Sequence, residues 1–209
     1  MVVGQTSPEG KSILGQGLLV RWRRMMRLRS RCGSTQRRSV VIKRSSTPLD
    51  AREVIASEAT EHPNSAWVEN QADWFVDQTA GREESPSIVM HDKDTKFTKA
   101  FVAKLKERGV RTNSLPKASP NLNGRCERII GTIKWECLNK FIIFGKRHLD
   151  YLVSEFVDYY NHHRSHMERD WLPPIRDGEP EEVATLKMDQ IEVKQYVGGL
   201  VKSFERKAA

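Results

Sequence analysis

Short apolar runs that suit strands alternate with longer segments of helical period through most of this chain, and that alternation restricts it to a layered α/β fold. Strands are expected over Arg52–Ala56, Ser87–Asp92 and Val110–Leu115. A helix is expected over Ser65–Thr79, where Trp67, Val68, Ala72, Trp74 and Phe75 recur at helical spacing and Ser65 follows Pro63 as the N-cap. A second helix is expected over Thr98–Arg108, with Phe97, Phe101, Val102 and Leu105 on one face and Gly109 as its stop. After a loop rich in Pro, Ser and Asn (Pro116–Gly124), a third helix runs to about Lys140 and a fourth from Lys146 to His163. The tail from Asp170 holds Pro173-Pro174 and a strand-like piece near Ile191–Val197. No internal repeat is visible.

The 209 residues suffice for one domain with a real core. The division expected is a basic, disordered arm (1–48), a core domain (49–170) and a tail (171–209). Charge supports that division. The whole chain is formally +8, yet residues 1–49 alone hold 11 Lys/Arg against one Asp/Glu, so the remainder is slightly acidic. The arm is dense in Arg, Ser and Gly without a sustained hydrophobic period. Besides disorder, it can be read as a targeting peptide or as sequence with no folded role. Within the remainder, residues 50–85 carry nine acids and two bases, whereas residues 86–140 carry five acids and twelve bases. A basic surface of that kind suits a phosphate backbone. No apolar run reaches the ~18–20 residues of a membrane span. Cys32, Cys126 and Cys137 make neither a CxxC pair nor a disulfide framework, which suits a reducing cytoplasm and leaves no zinc site.

Three constellations could carry chemistry. In His91-Asp92-Lys93-Asp94, Asp92 ends an apolar strand, and Asp94 suits the turn before the next helix. In Pro120-Asn-Leu-Asn-Gly-Arg125-Cys-Glu127-Arg128, a polar loop leads into a helix. There Glu127, Ile130/Gly131 and Lys134 share a face at spacings of three, four and seven. In Tyr159-Tyr-Asn161-His162-His163-Arg164-Ser165-His166, the histidines read as structural or DNA-facing, because adjacent helical residues point apart. For each, the plain alternative is ordinary: turn acids, a solvated helix face, core histidines.

From about Leu49 to about Pro174, these elements resemble the DDE family of retroviral-type integrases and insertion-sequence transposases. Asp92 and Glu127, with 34 residues between them, stand where the second and third family acids stand. The third constellation is similar to the Tyr-Asn-x-x-Arg-Pro-His element of transposase cores, with Ser165 in place of proline. The resemblance implies a ribonuclease-H-like mixed sheet flanked by helices. It implies DNA integration or transposition by metal-dependent strand transfer, in which a metal-activated water nicks DNA and a 3′-hydroxyl then attacks the target. Asp92 and Glu127 would be the catalytic and metal-binding acids for Mg2+ or Mn2+. Lys134, Arg125 and Arg128 would hold DNA, both element ends and target, with homo-oligomers in the active form.

The first family acid has no counterpart. It is expected in a strand before Arg52–Ala56, near residues 30–45, and that stretch contains no Asp or Glu. The first strand is therefore expected to be missing or degenerate, the N-terminal part degenerate or truncated, the two-metal site incomplete and activity impaired. Whether the chain is an enzyme stays open at this point. The alternative is a non-catalytic DNA-binding remnant of a transposase. A glycosyltransferase-type Asp-x-Asp metal site at Asp92 and Asp94 is a third reading, with no nucleotide-sugar context beside it.

Overall fold

The computed structural model describes residues 53–80, 88–91, 93–114, 127–167, 171–175, 185 and 187–207, and the strand backbone at 17–21, 28–29, 35–36 and 40–42. Nine strands are assigned among the described residues: β1 (Gly17–Arg21), β2 (Leu28–Arg29), β3 (Thr35–Gln36), β4 (Val40–Ile42), β5 (Val54–Ala56), β6 (Ile88–His91), β7 (Arg111–Ser114), β8 (Ile191–Tyr196) and β9 (Val201–Arg206). Five of them form one mixed sheet in the order β5-β4-β1-β6-β7. β5 and β4 pair antiparallel, as do β4 and β1. β1, β6 and β7 run parallel, with Val20 opposite His91 and His91 opposite Ser114.

The strand content of residues 1–48 departs from the sequence reading. β1 and β4 both lie in a stretch expected to be an arm, and they occupy the middle of the main sheet. A parallel partner such as β6 arrives only after a long crossover, so no local pattern announces the pairing. The strand that looked missing has a backbone, and what it lacks is acid. No Asp or Glu occurs between Glu9 and Asp50.

Helices cover both faces of the sheet. The helices α1 (Ser65–Thr79) and α2 (Lys99–Glu107) contribute Val68, Ala72, Phe75, Phe101 and Leu105 to a cluster with Ile55 and Val89. On the other face, α3 (described from residue 127) and α4 (Lys146–His162) pack Ile129, Ile130, Ile133, Leu149, Leu152, Val153 and Phe156 around Val54 and Met90. Neighbouring residues on β5 (Val54, Ile55) and on β6 (Val89, Met90) fall into opposite clusters, as the two-residue strand period requires.

Local chemistry sets the helix ends. Asn64, one residue earlier than expected, caps α1: its side-chain oxygen accepts the Trp67 amide at 2.9 Å. Asn and Ser are near-equal caps, so sequence alone separates them poorly. Thr98 caps α2 through the Phe101 amide, and its hydroxyl donates to Glu69 at 2.7 Å, tying α2 to α1. Gly109, at φ 76, ends α2: its amide bonds the Lys106 carbonyl, and the Val110 amide bonds the Leu105 carbonyl at 2.8 Å. This is a Schellman stop, sealed by burial of Leu105 and Val110 in one cluster. Beyond the expected tail strand, β9 completes an antiparallel hairpin with β8. No described helix is long and apolar enough to cross a membrane.

Candidate nucleic-acid and metal site

In an open α/β sheet, ligands gather beyond the carboxyl ends of parallel strands. Here that edge lies past Val20, His91 and Ser114, which are aligned across β1, β6 and β7. Asp92, the first residue beyond β6, lies outside the described residues, as does Arg125. What anchors the strand end is visible. His91 is buried, with its ring 4.5 Å from that of Phe97 and 5.7 Å from that of Phe101. The turn after it closes on Asp94, whose carboxylate accepts the Lys96 amide at 3.1 Å and whose carbonyl accepts the Phe97 amide at 3.1 Å. Asp94 is thus the turn residue expected, while the capping of α2 falls to Thr98.

Glu127 opens the described part of α3, on the sheet face where Met90 of β6 packs against the Ile129–Ile130–Ile133 cluster. Glu127, Gly131 and Lys134 are all half-buried and Ile130 is buried, which matches a stripe along the margin of the core; Arg128 is exposed. The helix widens at Ile133–Cys137 into a π-helical turn, where the Leu138 amide reaches both the Ile133 and Lys134 carbonyls. A π turn inserts a residue into the helical count and re-aims the side chains around it. Lys134 lies at its start, so the seven-residue spacing from Glu127 crosses from regular to widened helix.

Three features secure α3 and α4, and sequence reasoning missed all of them. Glu136 in the π turn receives two bonds from the Arg164 guanidinium, at 2.7 and 3.1 Å, and Arg164 also lies 5.6 Å over the Tyr160 ring. The Glu136 bond holds the Arg164 guanidinium above its ordinary pKa. Asn161 is buried. Its side-chain oxygen accepts the Val54 amide and its NH2 donates to the Val54 carbonyl, both at 2.9 Å. β5 is an edge strand, so this amide takes the place of the next strand. The third feature is the hairpin: the Tyr196 ring meets those of Tyr159 and His163, and Glu205 Oε1 lies 2.7 Å from His163 Nδ1. The Tyr-Asn-x-x-Arg element was the available signal, and its role here is to bolt α4 to β5 and α3. His162 pairs with Asp158 on the exposed side of α4, and His166 is buried against Tyr160.

Divalent metal chemistry needs converging oxygen ligands. Among the described residues no group of three His, Cys, Asp or Glu could hold an ion, and of the expected metal acids only Glu127 is described. The strands β1 to β4 add no carboxylate. The described residues by themselves assemble no two-metal clamp.

Residues 108–174, from the end of α2 to just past α4, match the integrase core domain family. That match spans 67 of the 209 residues. Solved structures bear out the fold. A chain of the simian T-cell lymphotropic virus intasome, solved by cryo-EM with PP2A regulatory subunit B56 gamma, is 18% identical with a TM-score of 0.55. That alignment covers 82% of this chain and 60% of the intasome chain, so this chain spans less than two thirds of that relative. The magnesium-bound HTLV-2 integrase catalytic core domain, in its trimeric form, gives 12% identity and a TM-score of 0.56, over 76% of this chain and 92% of its own. The BIV integrase catalytic core domain gives 12% and 0.51, over 75% and 90%. The fold is therefore the ribonuclease-H-like mixed sheet of integrase catalytic cores. No curated protein sequence matches the chain.

Proposed function

We propose that this integrase core binds DNA for integration or transposition and that its own strand-transfer chemistry is impaired. The observation that carries the reading is the pairing of a core of this fold with strands β1 to β4 that hold no acid. In this reading, Asp92 and Glu127 converge. Asp92 follows β6 directly in sequence, and α3, which bears Glu127, packs on the face of that strand that holds Met90. Two carboxylates can bind one Mg2+ or Mn2+ weakly, but they leave a two-metal clamp without its bridging acid. Lys134, Arg128 and Arg125 hold backbone phosphates beside that face, whether of element ends or of target DNA. The HTLV-2 core occurs in trimeric and dimeric forms, and self-association is proposed here for any active assembly. A reducing cytoplasm is the proposed setting. The absence of acid favours the non-catalytic remnant as the second reading.

Fluorescence anisotropy with duplex DNA tests the binding half of the proposal. The chain is expected to bind with a strong salt dependence, and Lys134→Ala is expected to weaken binding equally across sequences, lowering the log–log salt slope by about 0.9. A chain indifferent to duplex DNA at low salt would end the reading.

A further inference from the structure

A π turn is rare because the ordinary α count competes with it, so contacts from elsewhere in the fold must hold it open. In α3 the turn Ile133–Cys137 is held from α4 at two places. On the core side, the buried Cys137 thiol donates to the Leu152 carbonyl at 3.7 Å. On the half-exposed side, the Glu136 carboxylate takes both prongs of the Arg164 guanidinium, at 2.7 and 3.1 Å.

The position of that guanidinium is set by the end of α4. The Arg164 amide donates to the Tyr159 carbonyl at 2.9 Å, and the guanidinium lies 5.6 Å over the Tyr160 ring. Glu136 is therefore drawn to a fixed point, and Lys134 is two residues before it in the same turn. Lys134 is half-buried, and its carbonyl shares the Leu138 amide with that of Ile133.

One residue of helical count rotates a side chain by ~100° about the axis. Closing the π turn would swing the part of α3 before it against the part after it by about that angle. The part before is held by Ile129, Ile130 and Ile133 in the core, on the same helix as Glu127. The part after is held by Cys137 and Glu136. Lys134 lies where the two parts meet, so its aim relative to Glu127 depends on the contacts beyond it. Arg164 itself is committed to an acid, and a phosphate would have to displace Glu136 to reach it.

We propose that Arg164 is a positioning residue for DNA binding: through Glu136 it holds the π turn open and so keeps Lys134 turned toward a backbone phosphate beside Glu127. This deepens the proposed function and rests on its assignment of Lys134 to DNA. Arg164 acts on the nucleic acid through α3 and does not touch it.

The test follows the full chain and a labelled mixed-sequence duplex by anisotropy across a salt series. The variants are Lys134→Ala, Glu136→Ala, Arg164→Met, and each of the last two combined with Lys134→Ala. A lost phosphate contact lowers the log–log salt slope by ~0.9. Glu136→Ala and Arg164→Met are each expected to lower the slope by about that amount, and neither to lower it further when Lys134 is already alanine. Arg164→Lys keeps the charge without the fork and is expected to behave as Arg164→Met. Glu136→Ala separates positioning from contact by sign. It removes an acid and frees Arg164, so a direct Arg164–phosphate contact would keep or raise the slope, whereas lost positioning lowers it. A merely structural loss reduces the folded fraction and leaves the slope of the folded chain unchanged. Should Arg164→Met fail to fold, Glu136→Ala carries the test, since that side chain is 41% exposed. An unchanged or raised slope in Glu136→Ala, or decreases that add to about 1.8 in the double variants, would overturn the proposal. If Lys134→Ala lowers the slope while the Glu136 and Arg164 variants match the unaltered chain, this inference fails and the proposed function stands. If Lys134→Ala leaves the slope unchanged, the assignment of Lys134 fails, and this inference falls with it.

Discussion

Replacing Asn161 with alanine should destabilise this domain by roughly 2–6 kcal/mol, a large effect for removal of one small polar side chain. The amide makes two bonds at 2.9 Å to a single residue, the Val54 amide and carbonyl, in a position where Asn161 is only 6% exposed and Val54 1%. Truncation leaves one donor and one acceptor of Val54 inside the core with no partner. A buried polar group deprived of its bond costs about 1–3 kcal/mol, and two such groups set the range. The Asn161 carbonyl accepts the Ile175 amide at 2.8 Å through the backbone, a bond that alanine keeps, so the loss is confined to the β5 edge. Asn161→Asp is an instructive control: it keeps an acceptor for the Val54 amide but sets an oxygen against the Val54 carbonyl, so it should not rescue. Urea unfolding followed by circular dichroism reads the change as a fall in midpoint at constant slope. A loss under about 1 kcal/mol for Asn161→Ala would mean that the clamp is not what closes the open edge of the sheet.

Other outcomes follow from the same contacts. Arg164→Met should cost about 1 kcal/mol in the same assay, since the side chains of Arg164 and Glu136 remain 27% and 41% exposed and solvent screens the pair; Arg164→Lys should recover less than half, because an ammonium cannot reproduce the two-pronged bond. Burial pushes the His163 imidazole below its ordinary value, outweighing the nearby Glu205 that raises it, with Lys194, Asp158 and His162 adding smaller effects. The folded chain then binds this proton less readily than the unfolded one, so stability is full above about pH 6.5 and declines as pH falls below it. His163→Gln should flatten that decline in urea midpoints measured across the range, and an unchanged profile would refute the assignment. Burial also pushes the Cys137 thiol up to about 12, and its sulfur donates to the Leu152 carbonyl at 3.7 Å. In a chain with Cys32 and Cys126 replaced by Ser, alkylation should be slow when folded and fast in denaturant; fast labelling of the folded chain would contradict the burial.

Elements set by local chemistry were legible in the sequence, and elements set by distant partners were not. α1, α2 and α4 announced themselves through apolar period and stop signals, and the structure moves their ends by a residue or two. β6 and β7 were visible as apolar or β-prone runs bounded by turns. By contrast, β1 and β4 sit among arginines in a stretch with no lasting period, and their place is decided by β6 and β5 far along the chain. β9 was missed because its exposed face alternates Lys202, Phe204 and Arg206, which mimics a solvated coil when its partner is unknown. At the candidate site, the helical placement of Glu127 and Lys134 followed from spacing, whereas the π turn beneath Lys134 did not. No propensity marks Ile133–Cys137 for a widened helix; the Glu136–Arg164 bond and the burial of Ile133 and Cys137 accompany it.

The central proposal is that this chain, with an integrase-like fold whose strands β1 to β4 bear no acid, binds DNA but does not join it. A strand-transfer assay on the purified full chain, with labelled duplex ends and a supercoiled target in Mg2+ or Mn2+, tests this most directly. DNA binding without detectable nicking or joining is the expected result. Robust joining that Asp92→Asn or Glu127→Gln abolishes would contradict it, and would mean that Asp50 or an acid of a partner chain completes the site.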